Sequence, residues 1–376
     1  MRAPRFALWA CLWLAASQAV AQAGITDTTI TLGQSAPLTG AYGDTGQQWR
    51  DGARAYFEHV NARGGVHGRK LVLKPLDDAA QPERALANTK MLVQDEGVFV
   101  LFGYVGVGSA AAALPLVTQA GIPFLAPSSG APALRQPMNK NVFHVRASYA
   151  DEADKIVQHV TTVSQDRIAV FFQDNEYGRA ALQGIQQALK KQNLQPVAVA
   201  AARDQASDVA GAVSKLLDAR PQTVILAAPW MSAVPFIQVM RASGSNAGFW
   251  GISLLGSRAL TAEMGKEAAG VQISQVLPAP WDEQNPVVQE YSRLFLKDSP
   301  QAWSYTSLEG FIAAKVLVEG LQRAGRHLSR AGLVRALESM TPYDVGGMVV
   351  RFGPEQRNGS SYVDLTMISR TGRLLR

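Results

Sequence analysis

Strand-like apolar runs alternate with segments of helical periodicity along almost the whole chain, and this alternation constrains the fold more than any other feature. Ile30-Thr31-Leu32-Gly33 reads as a strand. Trp49, Ala53, Tyr56, Phe57 and Val60 recur at helical spacing, and Gly64-Gly65 stops that helix. Leu71-Val72-Leu73 is the next strand, followed by a helix near Glu83–Glu96. Val98-Phe99-Val100-Leu101-Phe102 is apolar throughout, as a strand buried on both faces of a parallel sheet must be. A helix over Ser109–Ala120 and a strand at Ile122-Pro123-Phe124-Leu125 complete one α/β lobe.

The pattern then restarts. Ala153, Ile156, Val157 and Val160 mark a helix whose first turn carries Asp151, Glu152 and Asp154, suited to the positive end of the helix dipole. Strands are expected at 168–172, 197–199, 223–227, 249–252 and 271–274. Helices are expected after Tyr177, around Val209–Leu217 and over Ser232–Ala242. Beyond Pro278-Ala279-Pro280 come three helices without intervening strands, Val287–Lys297, Ser304–Ala324 and Arg330–Ser339, which should pack onto an existing lobe. Gly346–Phe352 and Tyr362–Ser369 read as a terminal hairpin turning at Arg357-Asn358-Gly359. Repeated βα units imply right-handed crossovers and parallel sheets. The fold class is therefore α/β, with two doubly wound parallel-sheet lobes.

The first 23 residues read as an export signal. Arg2 and Arg5 form a positive start, Phe6–Val20 carries no charge, and Ala19-Val20-Ala21 and Ala21-Gln22-Ala23 offer cleavage sites. The run falls short of the ~18 apolar residues of a membrane span. Cleavage after Ala23 leaves 353 of the 376 residues, enough for two lobes. It also removes Cys11, the single cysteine, so the mature chain has no thiol or disulfide chemistry. The net charge of +6 is spread thinly, with no basic block interleaved with aromatics, so no nucleic-acid partner is expected.

Catalytic signatures are missing. His59, His67, His144, His159 and His327 are scattered, which argues against a metal site. There is no G-x-S-x-G elbow, H-E-x-x-H or P-loop. Asp77-Asp78 reads as turn and capping chemistry. Gly103-Tyr104-Val105-Gly106-Val107-Gly108 imitates a dinucleotide fingerprint, yet it follows the third strand and lacks an acid about 20 residues on. What it supports is simpler: close backbone approach and free N–H groups at a helix start, able to bind an anion such as a carboxylate. No cofactor is expected.

Several segments together resemble the type I periplasmic solute-binding proteins of the leucine/isoleucine/valine-binding family. They are Pro37-Leu38-Thr39-Gly40-Ala41-Tyr42-Gly43, Asn61-Ala62-Arg63-Gly64-Gly65-Val66-His67-Gly68-Arg69, Asp77-Asp78 with Pro82 and Ala85, Ala120-Gly121-Ile122-Pro123, Pro127-Ser128-Ser129-Gly130 and Asp174-Asn175-Glu176-Tyr177-Gly178. The resemblance implies two lobes joined by a three-crossing hinge, a ligand in the cleft between them, and docking of the closed form on an ABC permease. The implied domains are 24–147 plus 281–345, and 148–280 plus 346–376, with crossings near Ala147–Ser148, Leu277–Trp281 and Tyr343–Gly346. The implied ligand-binding residues are Tyr42, Val107, Gly108, Ser109, Ser128, Ser129, Gly130, Tyr177, Trp230 and Ser253. The family's amino-acid receptors hold the ligand ammonium with an acid after the strand that here is Phe249-Trp250-Gly251; Ser253 stands there instead. Asp151 and Glu176 are the acids that could replace it, and Ser253→Glu is expected to improve binding of leucine-like amino acids.

The resulting expectation is a monomeric periplasmic receptor that passes an amino acid, small carboxylate or amide to a permease and its ATPase, without chemistry of its own. A ligand-sensing receptor of the same fold and an exported α/β enzyme are the alternatives; the enzyme would need a nucleophile with a positioned base, and none is found.

Overall fold

Successive residues of a strand face opposite sides of a sheet, so the fully apolar runs demand cover on both faces. The computed structural model describes residues 23–203, 209–295, 303–340 and 342–376; the expected export segment, apart from Ala23, lies outside them. The first lobe is built from β1 (Thr29–Ala36), α1 (Gly43–Ala62), β2 (Lys70–Asp77), α2 (Pro82–Lys90), β3 (Val100–Phe102), α3 (Val107–Ala120), β4 (Phe124–Leu125) and β5 (Val142–Phe143). Its sheet is parallel, in the order β2-β1-β3-β4-β5. Phe102, Leu125 and Phe143 pack in one core with Trp49 and Phe57 of α1. Their strand neighbours Leu101, Phe124 and Val142 pack in another with Ala110, Ala113 and Val117 of α3.

The second lobe repeats the plan with α4 (Tyr149–Thr162), β6 (Ile168–Gln173), α5 (Glu176–Lys191), β7 (Ala198–Ala202), α6 (Val209–Ala219), β8 (Thr223–Ala227), α7 (Trp230–Ala242), β9 (Gly248–Gly251), α8 (Ser257–Met264) and β10 (Gln272–Gln275). Its parallel strands run β7-β6-β8-β9-β10. Each sheet therefore reverses its strand order once, between β1 and β3 and between β6 and β8. Open α/β sheets present their crevice at that switch point, outside the carboxyl ends of the strands.

Three further helices, α9 (Pro286–Phe295), α10 (Tyr305–Ala324) and α11 (Arg330–Glu338), join the first-lobe core through Tyr291, Phe311 and Leu333. The last strands are β11 (Tyr343–Asp344), β12 (Val349–Val350), β13 (Asp364–Ile368) and β14 (Leu374–Leu375). They correct the expected terminal hairpin. β12 pairs with β11, whereas β13 pairs with β10 and β14, all antiparallel. The third crossing moves with them. Met348, Val350 and Phe352 lie in the first-lobe core, Phe352 meets Phe143 edge-on at 5.2 Å, and the His144 amide donates to the Arg357 carbonyl at 2.8 Å. The chain therefore passes to the second lobe between Phe352 and Asp364, beyond the expected Tyr343–Gly346. Apolar burial against β5 decides the matter, and strand periodicity carries no information about which strand a segment will join.

Candidate functional site

The two switch points face each other across a cavity of about 490 Å3. The loop after β1 supplies Pro37, Ala41 and Tyr42, and the start of α1 supplies Thr45. The loop after β3 and the first turn of α3 supply Val105–Ser109. From the second lobe come Asn175–Tyr177 after β6, Pro229 and Trp230 after β8, and Ser253 and Leu254 after β9. Trp303–Thr306 close one end. The walls are mostly apolar, and helices α1, α3, α5, α7 and α10 all begin here.

Local chemistry shapes each wall. Asp77 ties down the loop that carries Tyr42: its Oδ1 accepts from the Leu38 amide at 2.8 Å and the Ala79 amide at 3.0 Å, and its Oδ2 accepts from the Thr39 hydroxyl at 2.7 Å. Burial alone would raise this carboxyl, but the hydrogen bonds from Thr39, Leu38 and Ala79 hold it at about 2. Tyr42 then sits at the N-cap of α1, and burial raises its phenol. Asp78 is fully buried and accepts from the Ser35 hydroxyl and the Ala80 amide, each at 2.8 Å, and from the Ser109 hydroxyl. Burial raises its carboxyl against those bonds.

Gly106 caps α3 at φ 101°, a conformation costly for any residue with a Cβ. It brings no side chain, so the first-turn amides of Val107, Gly108 and Ser109 are left uncapped beside the cavity. Gly108 is a point of close approach between the lobes: a Cβ there would lie 2.5 Å from Glu176 Oε2 and 2.8 Å from the Pro82 ring.

The second-lobe wall rests on a buried charge cluster. Glu152 Oε2 accepts from the Ser253 amide and the Ser274 hydroxyl, each at 2.7 Å. Oε1 accepts from the Ser253 hydroxyl at 3.0 Å and from Arg146 at 3.3 Å. Arg146 also donates to the Ser253 hydroxyl and to Glu309. Burial pushes the Glu152 carboxyl up, opposed by Arg146 and the three serine contacts. Burial would lower Arg146, but Glu309 and Glu152 raise it.

Seven of the ten expected residues line the cavity: Tyr42, Val107, Gly108, Ser109, Tyr177, Trp230 and Ser253. Ser128, Ser129 and Gly130 do not. Val105 bridges to Ser128, so the β3 loop lies between this turn and the cleft. Ser129 Oγ accepts from the Ala131 amide at 3.2 Å, and Gly130 O accepts from the Tyr149 amide at 2.9 Å, so the turn anchors the first crossing instead. Of the two replacement acids, Asp151 is spent in a capping box with Ser148, whereas Glu176 lines the cavity. Tyr177 lies edge-on to Tyr149 at 5.7 Å, its hydroxyl buried and without a hydrogen-bond partner. Sequence reasoning missed Trp303, Tyr305 and Arg258 in the lining, and Arg146 and Glu152 behind it. The serine cap before the long helix, Ser304, was the one available signal for the first two.

A two-lobed cleft with helix starts and aromatic walls is the geometry of a small-molecule binding site. The chain belongs to the periplasmic binding protein family, whose pattern matches residues 29–373. It is 25% identical over 316 residues to Leu/Ile/Val-binding protein homolog 3 of Brucella melitensis, covering 84% of each chain. Among solved structures, a substrate-binding periplasmic protein from Ralstonia solanacearum superposes with a TM-score of 0.84 at 31% identity, covering 92% of this chain and 99% of that one. A possible leucine/isoleucine/valine-binding protein from Rhodopirellula baltica gives 0.86 at 28% identity, over 93% and 96%. Among the described residues no helix is long and apolar enough to cross a membrane.

Proposed function

We propose that this protein is an exported solute receptor. It captures a small carboxylate-bearing solute with an apolar body between its lobes and presents the closed complex to an ABC permease. The observation that carries the reading is the meeting of uncapped α3 amides with a largely apolar cavity at two facing switch points. The Val107, Gly108 and Ser109 amides and the helix dipole favour an anion, and a carboxylate fits that donor set. Tyr42, Trp230, Trp303 and Tyr305 give the body of the solute flat apolar walls. The names of the relatives point the same way, toward branched-chain amino acids, and the export signal read over the first 23 residues supports a periplasmic location. Delivery to a permease and its ATPase follows the family's role.

Calorimetric titration with leucine, phenylalanine, benzoate-like acids and short neutral amides tests the ligand class. Small-angle scattering with the tightest binder tests the mode. A carboxylate should bind and reduce the radius of gyration. Tight binding confined to neutral amides, or binding with an unchanged radius, would contradict the reading.

A further inference from the structure

Arg146 lies at the first crossing, and its side chain reaches groups of both lobes. Its neighbours Val145 and Ala147 pack in the first-lobe core, and α4 of the second lobe begins three residues on. One guanidinium nitrogen donates to Glu309 of α10, in the first lobe, at 3.3 Å. The other donates to Glu152 of α4 at 3.3 Å and to the Ser253 hydroxyl after β9, both in the second lobe. The Arg146 and Glu152 side chains are buried, and that of Glu309 is 12% exposed. The backbone here is pinned as well. Arg135 donates to the Arg146 carbonyl at 3.1 Å, to the Ala147 carbonyl at 3.4 Å and to the Asn358 side chain on the third crossing. The grip belongs to lobes that touch elsewhere too, with Gly108 closely against Glu176. A rotation about the crossings moves Glu152 and Ser253 relative to Glu309. A guanidinium held from both sides must then release one of them, and a buried charge that loses its partner is costly.

We propose that Arg146 is a positioning residue for solute capture: by joining Glu309 of the first lobe to Glu152 and Ser253 of the second, it latches the closed form. The proposal rests on the lobe-closure reading above and deepens it. Arg146, Glu152 and Glu309 stand outside the cavity lining, so the latch works through the lobe angle and not through contact with the solute. A solute that needs the closed form binds in proportion to the fraction of free protein that already holds it. The latch therefore strengthens binding of every solute alike, whereas the lining discriminates between them.

The test reads the lobe angle without ligand. Ala87 of α2 and Gln183 of α5 are exposed positions on opposite lobes, and residues 24–376 contain no cysteine. Nitroxide labels at Ala87→Cys and Gln183→Cys are measured by pulsed electron paramagnetic resonance in the otherwise unaltered protein, with Glu309→Gln and with Arg146→Lys. Glutamine keeps the size of Glu309 without its charge. Lysine keeps the charge of Arg146 but is a point donor that cannot fork to two acids. Each variant should move the distance distribution to longer values and reduce the short-distance population about threefold or more. Calorimetry with leucine and phenylalanine should show each one that binds weakened by the same factor. A merely structural role would lower stability in denaturant and leave the distances unchanged, so the distances separate the two. An unchanged distribution in either folded variant overturns the proposal. Loss confined to one of the two amino acids also overturns it, because Glu309 would then act on the solute itself. If neither amino acid binds the unaltered protein, that failure falls on the proposed ligand class, and the ligand-free distances still decide the latch.

Discussion

Each lobe keeps a buried acid beneath a serine of the cavity wall, but the two acids engage different atoms. In the first lobe Asp78 takes the Ser109 hydroxyl, while the amide of Ser109 stays in the uncapped first turn of α3. In the second lobe Glu152 takes both the hydroxyl and the amide of Ser253. The first wall therefore keeps free amide donors, whereas the amide and hydroxyl of Ser253 on the second wall are both engaged by Glu152. The acids also differ in their company. Asp78 is surrounded by hydroxyls and an amide, whereas Glu152 has Arg146, whose side chain is 2% exposed and which reaches on to Glu309 of α10 in the first lobe. Two lobes of one plan thus present different groups to a ligand, and the difference arises from whether the carboxylate engages the serine amide as well as its hydroxyl.

The largest expected effect comes from forcing the second wall to become an acid. Ser253→Glu would set a second carboxylate against Glu152 and remove the hydroxyl that Arg146 and Glu152 share. Ser253 is half-buried and lies beside Arg146, so the cost should fall below the about 3–5 kcal/mol of an uncompensated buried charge, and denaturant unfolding would show the loss. The sequence-based expectation that the change improves leucine binding is the competing outcome. Wild-type stability together with tighter leucine binding would break the comparison.

The apolar anchor ranks next. Trp230 begins α7 on the second-lobe wall, and Trp230→Ala should cost about 2 kcal/mol or more of binding, about thirtyfold in Kd. The first-lobe donors can be disturbed by Gly106→Ala, which places a Cβ at φ 101°. Such strain is worth about 1–3 kcal/mol and should shift the α3 amides, weakening carboxylates by about tenfold in calorimetry. An unchanged affinity would show that α3 does not hold the anion.

The smallest effect is the acid dependence of the loop beneath Tyr42. Asp77 titrates at about 2 in the folded protein against an ordinary 3.8, so its contribution is fully present above about pH 4 and is lost as pH falls through about 2. Solvent screens this carboxyl, so Asp77→Asn should remove about 1 kcal/mol or less at neutral pH and flatten the stability curve across that window. An unaltered acid profile would show that the Asp77 hydrogen bonds persist in the unfolded ensemble.

The first lobe's half of the site was legible because its signal is local. Glycines at 103, 106 and 108 after an apolar strand announce close approach and free amides within one turn. The second lobe's half was not. Glu152 looks like Asp151 and Asp154, an acid suited to a helix start, and only Asp151 caps. Its partner lies 101 residues away, and nothing in the spacing shows that Glu152 turns inward. The Ser128–Gly130 turn failed for a related reason: its serines and glycine suit an anion site equally well whether or not another loop lies in front of them. Alternating strands and helices defined both sheets, but Gly346–Phe352 and Tyr362–Ser369 were paired with each other wrongly because register and partner depend on packing against β5 and β10.

A crystal structure of the protein with its tightest-binding carboxylate tests the central claim most directly. The account predicts density in the interlobe cavity, with the carboxylate on the amides of Val107–Ser109 and the body against Tyr42 and Trp230. A carboxylate seated against Ser253, or a solute bound outside this cavity, would contradict it.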